Sequence, residues 1–227
     1  QPLDDWNVES VTDMTSMFYK AATFNQPLDD WNVASVTGMK NMFNYATDSN
    51  QPLNDWNVAS VTTMNSMFSD AYEFNQSLND SNVVSVTGMK NTFNFATDFN
   101  QSLNGWDVAS VNDMYRMFGF TTNFNQPLDD WNMTSVIDMY GMLGLAINFN
   151  QCLSSWADKT PPDVGVTYIF SSSDCPKQNG CKDSDSSAWC CIAPSACPSV
   201  QPSTLPSELP SAYPSEAPST IPSTLPS

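Results

Sequence analysis

A 25-residue period runs through this chain, and it decides most of what the chain can become. Residues 1–25 read QPLDDWNVESVTDMTSMFYKAATFN, and residues 26–50 read QPLDDWNVASVTGMKNMFNYATDSN. The pattern restarts without insertion at Gln51, Gln76, Gln101 and Gln126, and a degenerate seventh copy starts at Gln151. Units in strict register each do the same structural job. A unit this short cannot bury its own apolar side chains, so neighbours must stack and complete each other's core.

The apolar columns describe that stack. Leu recurs at 3, 28, 53, 78, 103, 128 and 153, and Trp at 6, 31, 56, 106, 131 and 156. Val or Met follows at 8, 33, 58, 83, 108 and 133, then Val at 11, Met at 14 and Phe at 18 with their equivalents. The step of two from Trp6 to Val8 reads as a strand over about Asp5–Val8. The steps of three that follow read as a short helical or 3₁₀ return arm over about Val11–Phe18. Asn-Gln-Pro at the junctions reads as a turn. The expected fold is therefore a repeat solenoid of short parallel strands and 3₁₀-like arms, with layers about 4.8 Å apart. Copy four departs from the pattern, with Ser81 for Trp and Thr92 for Met, which predicts a less filled layer there.

The string FNQPLDDWNV-SVTDM-MF in six copies resembles the BspA-like leucine-rich-repeat surface proteins, in their 25-residue version. The resemblance covers residues 1 to about 153. It implies a right-handed solenoid used for surface display, attachment and protein binding, and it implies no catalytic residues.

Charge narrows the partners. There are 24 Asp and Glu against 7 Lys and Arg, with no His, for a net charge of −17. Such a surface repels nucleic acid and anionic lipid. Lacking His, the chain lacks the commonest general base and transition-metal ligand. No apolar run is long enough to span a bilayer. Gln1 is already in phase with the repeat, as expected of a mature or internal piece.

The polar columns are the candidates for function. Asp5, Asp30, Asp55, Asp80 and Asp130 stack as an acidic face, a candidate for weak Ca²⁺ or glycan binding. The competing and weightier reading is that Asp and Asn serve turns and solubility. Asn25, Asn50, Asn75, Asn100, Asn125 and Asn150 read as buried amide ladders serving the turn backbone. The Met and Trp columns sit at core spacing and read as core. Thr12, Thr37, Thr62 and Thr87 form a hydroxyl column, but Asn112 and Ile137 break it, which argues against an ice-binding face. N-glycosylation sequons stand at Asn75, Asn79, Asn100 and Asn132, of which Asn79 and Asn132 are the better acceptors because the other two belong to the ladder.

Beyond Leu153 the pattern decays, and 1–170 is read as the repeat domain. Cys152, Cys175, Cys181, Cys190, Cys191 and Cys197 are an even, clustered set. They read as three disulfides holding a cap over 171–197, in an oxidising compartment. Their pairing stays open, and a zinc site is the weaker rival because CxxC pairs are absent. From Pro198 a Pro-Ser pair recurs every four residues to Ser227, a polyproline II stalk. Ser203, Ser207, Ser211, Ser215, Ser219 and Ser223 are its O-glycosylation candidates, and the tract resembles stalks of secreted and cell-wall proteins of diatoms and related algae.

The sequence thus points to an extracellular structural or adhesive protein, a building element of a surface filament, wall or matrix. Self-association, head-to-tail through the first coil, is the expected partner interaction, with matrix or glycans next. The alternative is a glycan- or receptor-binding module using the acidic face. Paired carboxylates such as Asp29 and Asp30 repeat in each coil, whereas an active site is normally unique, so no enzymatic activity and no resident cofactor are expected.

Overall fold

Steps of three between apolar residues are realised as a succession of tight turns. In the computed structural model, which describes residue 3 and residues 6–175, the second repeat shows the pattern. Trp31 N donates to Leu28 O, Val36 N to Val33 O, Met42 N to Met39 O, Ala46 N to Phe43 O and Ser49 N to Ala46 O. Each such turn starts on a core residue, and all but the last end on one. The spacing that suggests a 3₁₀ arm is here the i to i+3 closure of β-turns.

The reason it is not helix lies in the backbone. Ser16 and Lys20 have φ of 62° and 61°, and the equivalents recur in every layer: Asn41 and Tyr45, Ser66 and Asp70, Asn91 and Phe95, Arg116 and Phe120, Gly141 and Leu145. A left-handed residue at every fourth position breaks a helix and turns alternate amides out of the layer. Those amides bond the next layer. Met14 N donates to Gly38 O, Ser16 N to Lys40 O, Phe18 N to Met42 O and Lys20 N to Asn44 O. Between them, Met17, Tyr19 and Ala21 amides bond back three residues within the layer.

Parallel pairing falls on the arm and not on the expected strand. Single bridges link Asp13, Gly38, Thr63, Gly88, Asp113, Asp138 and Gly165. Residues 30–33 carry no strand pairing; the Trp31 amide donates to Leu28 O and the Val33 carbonyl accepts from Val36 N, each within a turn. Asp5 lies outside the described residues. The only helical segment among the described residues is a 3₁₀ turn, Ser154–Trp156.

The core runs unbroken through the layers. Val36, Met39, Phe43, Val61, Met89, Phe93, Met114, Phe118 and Met139 are essentially inaccessible. Phe43, Phe68, Phe93 and Phe118 stack in one column with centroids 5.5–5.6 Å apart. Phe74, Phe99, Phe124 and Phe149 form a second, 6.0–6.1 Å apart. Trp31, Trp56, Trp106, Trp131 and Trp156 are buried, whereas Trp6 is 54% exposed. Where Ser81 replaces Trp, a cavity of about 20 Å³ opens, lined by Leu53, Trp56, Leu78 and Trp106 among others. Thr92 is buried in place of Met and satisfies its hydroxyl by donating to Met64 O and Met89 O.

The seventh layer is complete, although its sequence looks degenerate. Gly165 pairs with Asp138 two residues later than a strict period places it. The extra length is taken up after Trp156, where Lys159 N and Thr160 N both bond Trp156 O. From there the register holds: Gly141 N reaches Thr167 O, Leu143 N reaches Ile169 O and Leu145 N reaches Ser171 O. The interlayer register can be followed as far as Ser171. Cys152 and Cys175 are disulfide-bonded. Cys181, Cys190, Cys191 and Cys197 lie outside the described residues, as do most of the expected 171–197 cap and the whole 198–227 stalk.

Candidate functional site

The acidic column lies on the surface. Asp30, Asp55, Asp80 and Asp130 are exposed. Among the described residues, no three Asp, Glu or Cys side chains come together as a cation site. The neighbouring Asn7, Asn32, Asn57, Asn82, Asp107 and Asn132 spend a side-chain oxygen locally, each accepting the amide two residues on. That oxygen closes an Asx turn and holds the corner of the layer.

The Asn ladder is present as expected in kind, but half-buried. Asn75 Oδ1 accepts from Asn100 N at 3.0 Å and from Gln101 Nε2 at 3.0 Å. Asn100 Oδ1 repeats this with Asn125 N and Gln126 Nε2. These two sequon positions are thus engaged between layers. Asn79 is half-buried and accepts from Gly105 N, while Asn132 is exposed. The Thr column is internally committed, since Thr37, Thr62 and Thr87 hydroxyls each donate to the Thr carbonyl one layer down.

A different face departs from repetition. Four of the five Lys and Arg among the described residues, Lys20, Lys40, Lys90 and Arg116, stand on the turn arms. This face carries aromatic rings in layers one and two, where Lys20 lies over Tyr19 and Tyr45, and again, more densely, in layers four to seven. Tyr115 and Tyr140 stack at 5.2 Å, and Tyr168 meets Tyr140 edge-on at 5.5 Å. Phe95 and Phe120 stack at 4.1 Å. The Arg116 guanidinium lies 5.5 Å from the Tyr115 ring centre and 5.7 Å from that of Tyr140, and Lys90 Nζ lies 4.6 Å from Tyr115. These cations rest on the negative ring faces.

A groove of about 260 Å³ opens beside them, lined by Arg116, Phe120, Tyr140, Leu145 and Tyr168 over a floor of Gly119, Gly141 and Gly144. Three of its lining positions carry no side chain. Where Gly119 and Gly144 stand, earlier layers carry Tyr19, Asn44, Ser69 and Asn94. A Cβ on Gly144 would come within 3.2 Å of Gly141 O, and one on Gly119 within 2.7 Å of Asn94 Oδ1. Gly141 also has φ of +58°.

Two carboxyls on or beside this face are perturbed. Burial raises the Asp70 pKa above its ordinary value, opposed by a hydrogen bond from the Ser69 hydroxyl. The Thr15 hydroxyl, and then the Thr15 amide, lower that of exposed Asp13.

Column-by-column reading of the repeat treats variation on the arms as noise, and so passes over this groove. The available signal was the pair of runs Tyr115–Arg116, Gly119–Phe120 and Tyr140–Gly141, Gly144–Leu145: adjacent copies share a Tyr and a Gly at equivalent places, and Arg116 faces a Gly at 141. A family model described as a Mycoplasma protein of unknown function, DUF285, matches residues 1–94 and 78–182. No curated protein and no solved structure matches.

Proposed function

The chain belongs to the DUF285 family, and from that premise we propose that it is an extracellular, non-enzymatic structural and adhesive repeat protein. Its role is that of a building element in a surface filament, wall or matrix. The fold reading that goes with this role is a right-handed solenoid of the leucine-rich-repeat kind, with an arm made of turns. The observation that carries the role is the uninterrupted ladder between layers, from Thr37 N on Thr12 O to Leu145 N on Ser171 O. Every layer presents the next with the same backbone donors and acceptors, and all but the fourth with the same Trp column, which suits extension and load-bearing better than a catalytic cleft.

The first layer supplies the expected contact between copies. Leu3, Trp6, Met17, Phe18, Ala21 and Phe24 line an open apolar hollow there, about 680 Å³ in volume. A further apolar layer of the same repeat fits it, and we propose that a second copy can supply such a layer head-to-tail. Sedimentation across a concentration series tests this: wild type is expected to form larger species, and Trp6→Glu to abolish them. A wild-type chain that stays monomeric throughout overturns the assembly. Antibody labelling of intact against permeabilised cells tests the location, and labelling only after permeabilisation overturns it.

A further inference from the structure

We propose that the groove over Gly119, Gly141 and Gly144 is a saccharide site for a pyranose ring bearing a carboxylate. Arg116 is its charge partner, and Phe120, Tyr140 and Tyr168 are its ring-contact residues.

The anionic half of the ligand follows from Arg116. In a chain of 24 acidic residues, this half-buried guanidinium has neither a carboxylate nor any other hydrogen-bond acceptor among the described residues. It sits against the stacked pair of Tyr115 and Tyr140, 5.5 and 5.7 Å from their ring centres, which engages it by cation–π attraction and uses none of its N–H donors. A planar fork of this kind matches a carboxylate with two parallel hydrogen bonds. Contact with two tyrosine rings restricts it beforehand, so less freedom is lost on binding.

The ring half follows from the walls and the floor. Tyr140 and Tyr168 pack edge to face on one another, 5.5 Å between ring centres, and together form one aromatic wall of the groove. Tyr168 is 51% exposed and Leu145 36% exposed. Large apolar surface paired with phenolic hydroxyls suits a ligand that is apolar on its faces and polar at its rim. The volume, about 260 Å³, lies just under the range of about 300–1,000 Å³ typical of small-molecule sites. It takes one or two rings and not the side of a protein.

An extended peptide is disfavoured by the same floor. Strand addition needs an unpaired backbone edge. Here Gly119 N bonds Arg116 O, Gly144 N bonds Gly141 O, Gly141 N bonds Thr167 O and Phe120 N bonds Gly144 O.

The test is titration of the full chain with trigalacturonic acid and with neutral cellotriose, followed by ligand-observed NMR. Wild type is expected to bind the acidic trisaccharide at least about tenfold more tightly. Arg116→Gln is expected to lose that preference, a loss of about tenfold or more. Tyr168→Ala, whose ring is half in solvent and carries little of the core, is expected to weaken both sugars. Unchanged melting temperatures confirm that the variants are folded. The proposal is overturned if folded wild type binds neither sugar, if Arg116→Gln leaves the acidic preference intact, or if a Glu-rich peptide of equal charge binds as tightly as the uronide. Failure here leaves the assembly test above untouched, because Trp6 and Arg116 lie in different layers.

Discussion

Trp106 Nε1 donates to the carbonyl of Leu78, 28 residues back and one layer down, at 2.7 Å. The same bond recurs from Trp56 to Leu28, Trp131 to Leu103 and Trp156 to Leu128. Each of these indoles therefore fills its own layer and ties it to the one before. Trp106→Phe keeps most of the ring area and removes the donor, and is expected to cost about 1–3 kcal/mol in urea unfolding. Layer four has no indole to offer, since Ser81 stands there beside a small cavity. Ser81→Trp is expected to stabilise the protein by about 0.5–2 kcal/mol. A loss of stability would show that the layer has closed too far to admit the ring.

The Asn ladder should behave as a hydrogen-bond device and not as a charge device. Asn100 Oδ1 accepts from Asn125 N and Gln126 Nε2. Asn100→Ala removes an acceptor from a half-buried amide and is expected to cost about 1–3 kcal/mol. Asn100→Asp keeps the oxygen and should recover most of that. Equal losses in the two variants would assign the column to packing alone.

Left-handed residues that are not glycine store strain. Ser66 has φ of 55°. Ser66→Gly is expected to stabilise by up to about 1 kcal/mol, the relief of strain exceeding the added entropy of the unfolded chain. Asn91, also at 55°, tolerates this region better, so Asn91→Gly should gain less. Paired denaturant titrations compare the two.

Asp70 gives acid dependence of an unusual sign. Burial raises its folded pKa above the unfolded value, so between the two values the folded state holds more proton. Ionised Asp70 is thus a penalty at neutral pH that is relieved as pH falls through the folded pKa. Asp70→Asn keeps an acceptor for the Ser69 hydroxyl and suits the φ of 58°. It is expected to raise stability at pH 7 by on the order of a few tenths of a kcal/mol after solvent screening, and to gain less or nothing at acid pH. Asp13 runs the other way: its pKa is lowered in the fold, so its contribution is lost as pH falls. Melting temperatures of both single variants between neutral and acid pH separate them, and a gain for Asp70→Asn that grows on acidification would contradict this account.

Much of this protein is written in its period. Strict 25-residue recurrence of Leu, Trp, Val, Met and Phe compels equivalent residues to share columns, because a lone unit cannot bury them. The buried Trp and Met columns and the Asn25 to Asn150 ladder follow from that alone. Backbone path does not. Steps of three are common to a 3₁₀ arm and to a train of β-turns, and what separates them is φ at Ser16 and Lys20 and their equivalents. Those positions hold Ser, Asn, Asp, Arg, Lys, Tyr, Phe and Leu as well as one Gly, so no residue type announces the left-handed turn. Contacts with the layers above and below impose it, since only that conformation points alternate amides at the next layer's carbonyls. Tertiary structure likewise kept the seventh layer in register, absorbing two extra residues after Trp156 where the written pattern fades. It also brought Arg116, Phe120, Tyr140 and Tyr168 around three glycines. Those residues sit on three successive layers, and only stacking makes neighbours of positions some 25 residues apart.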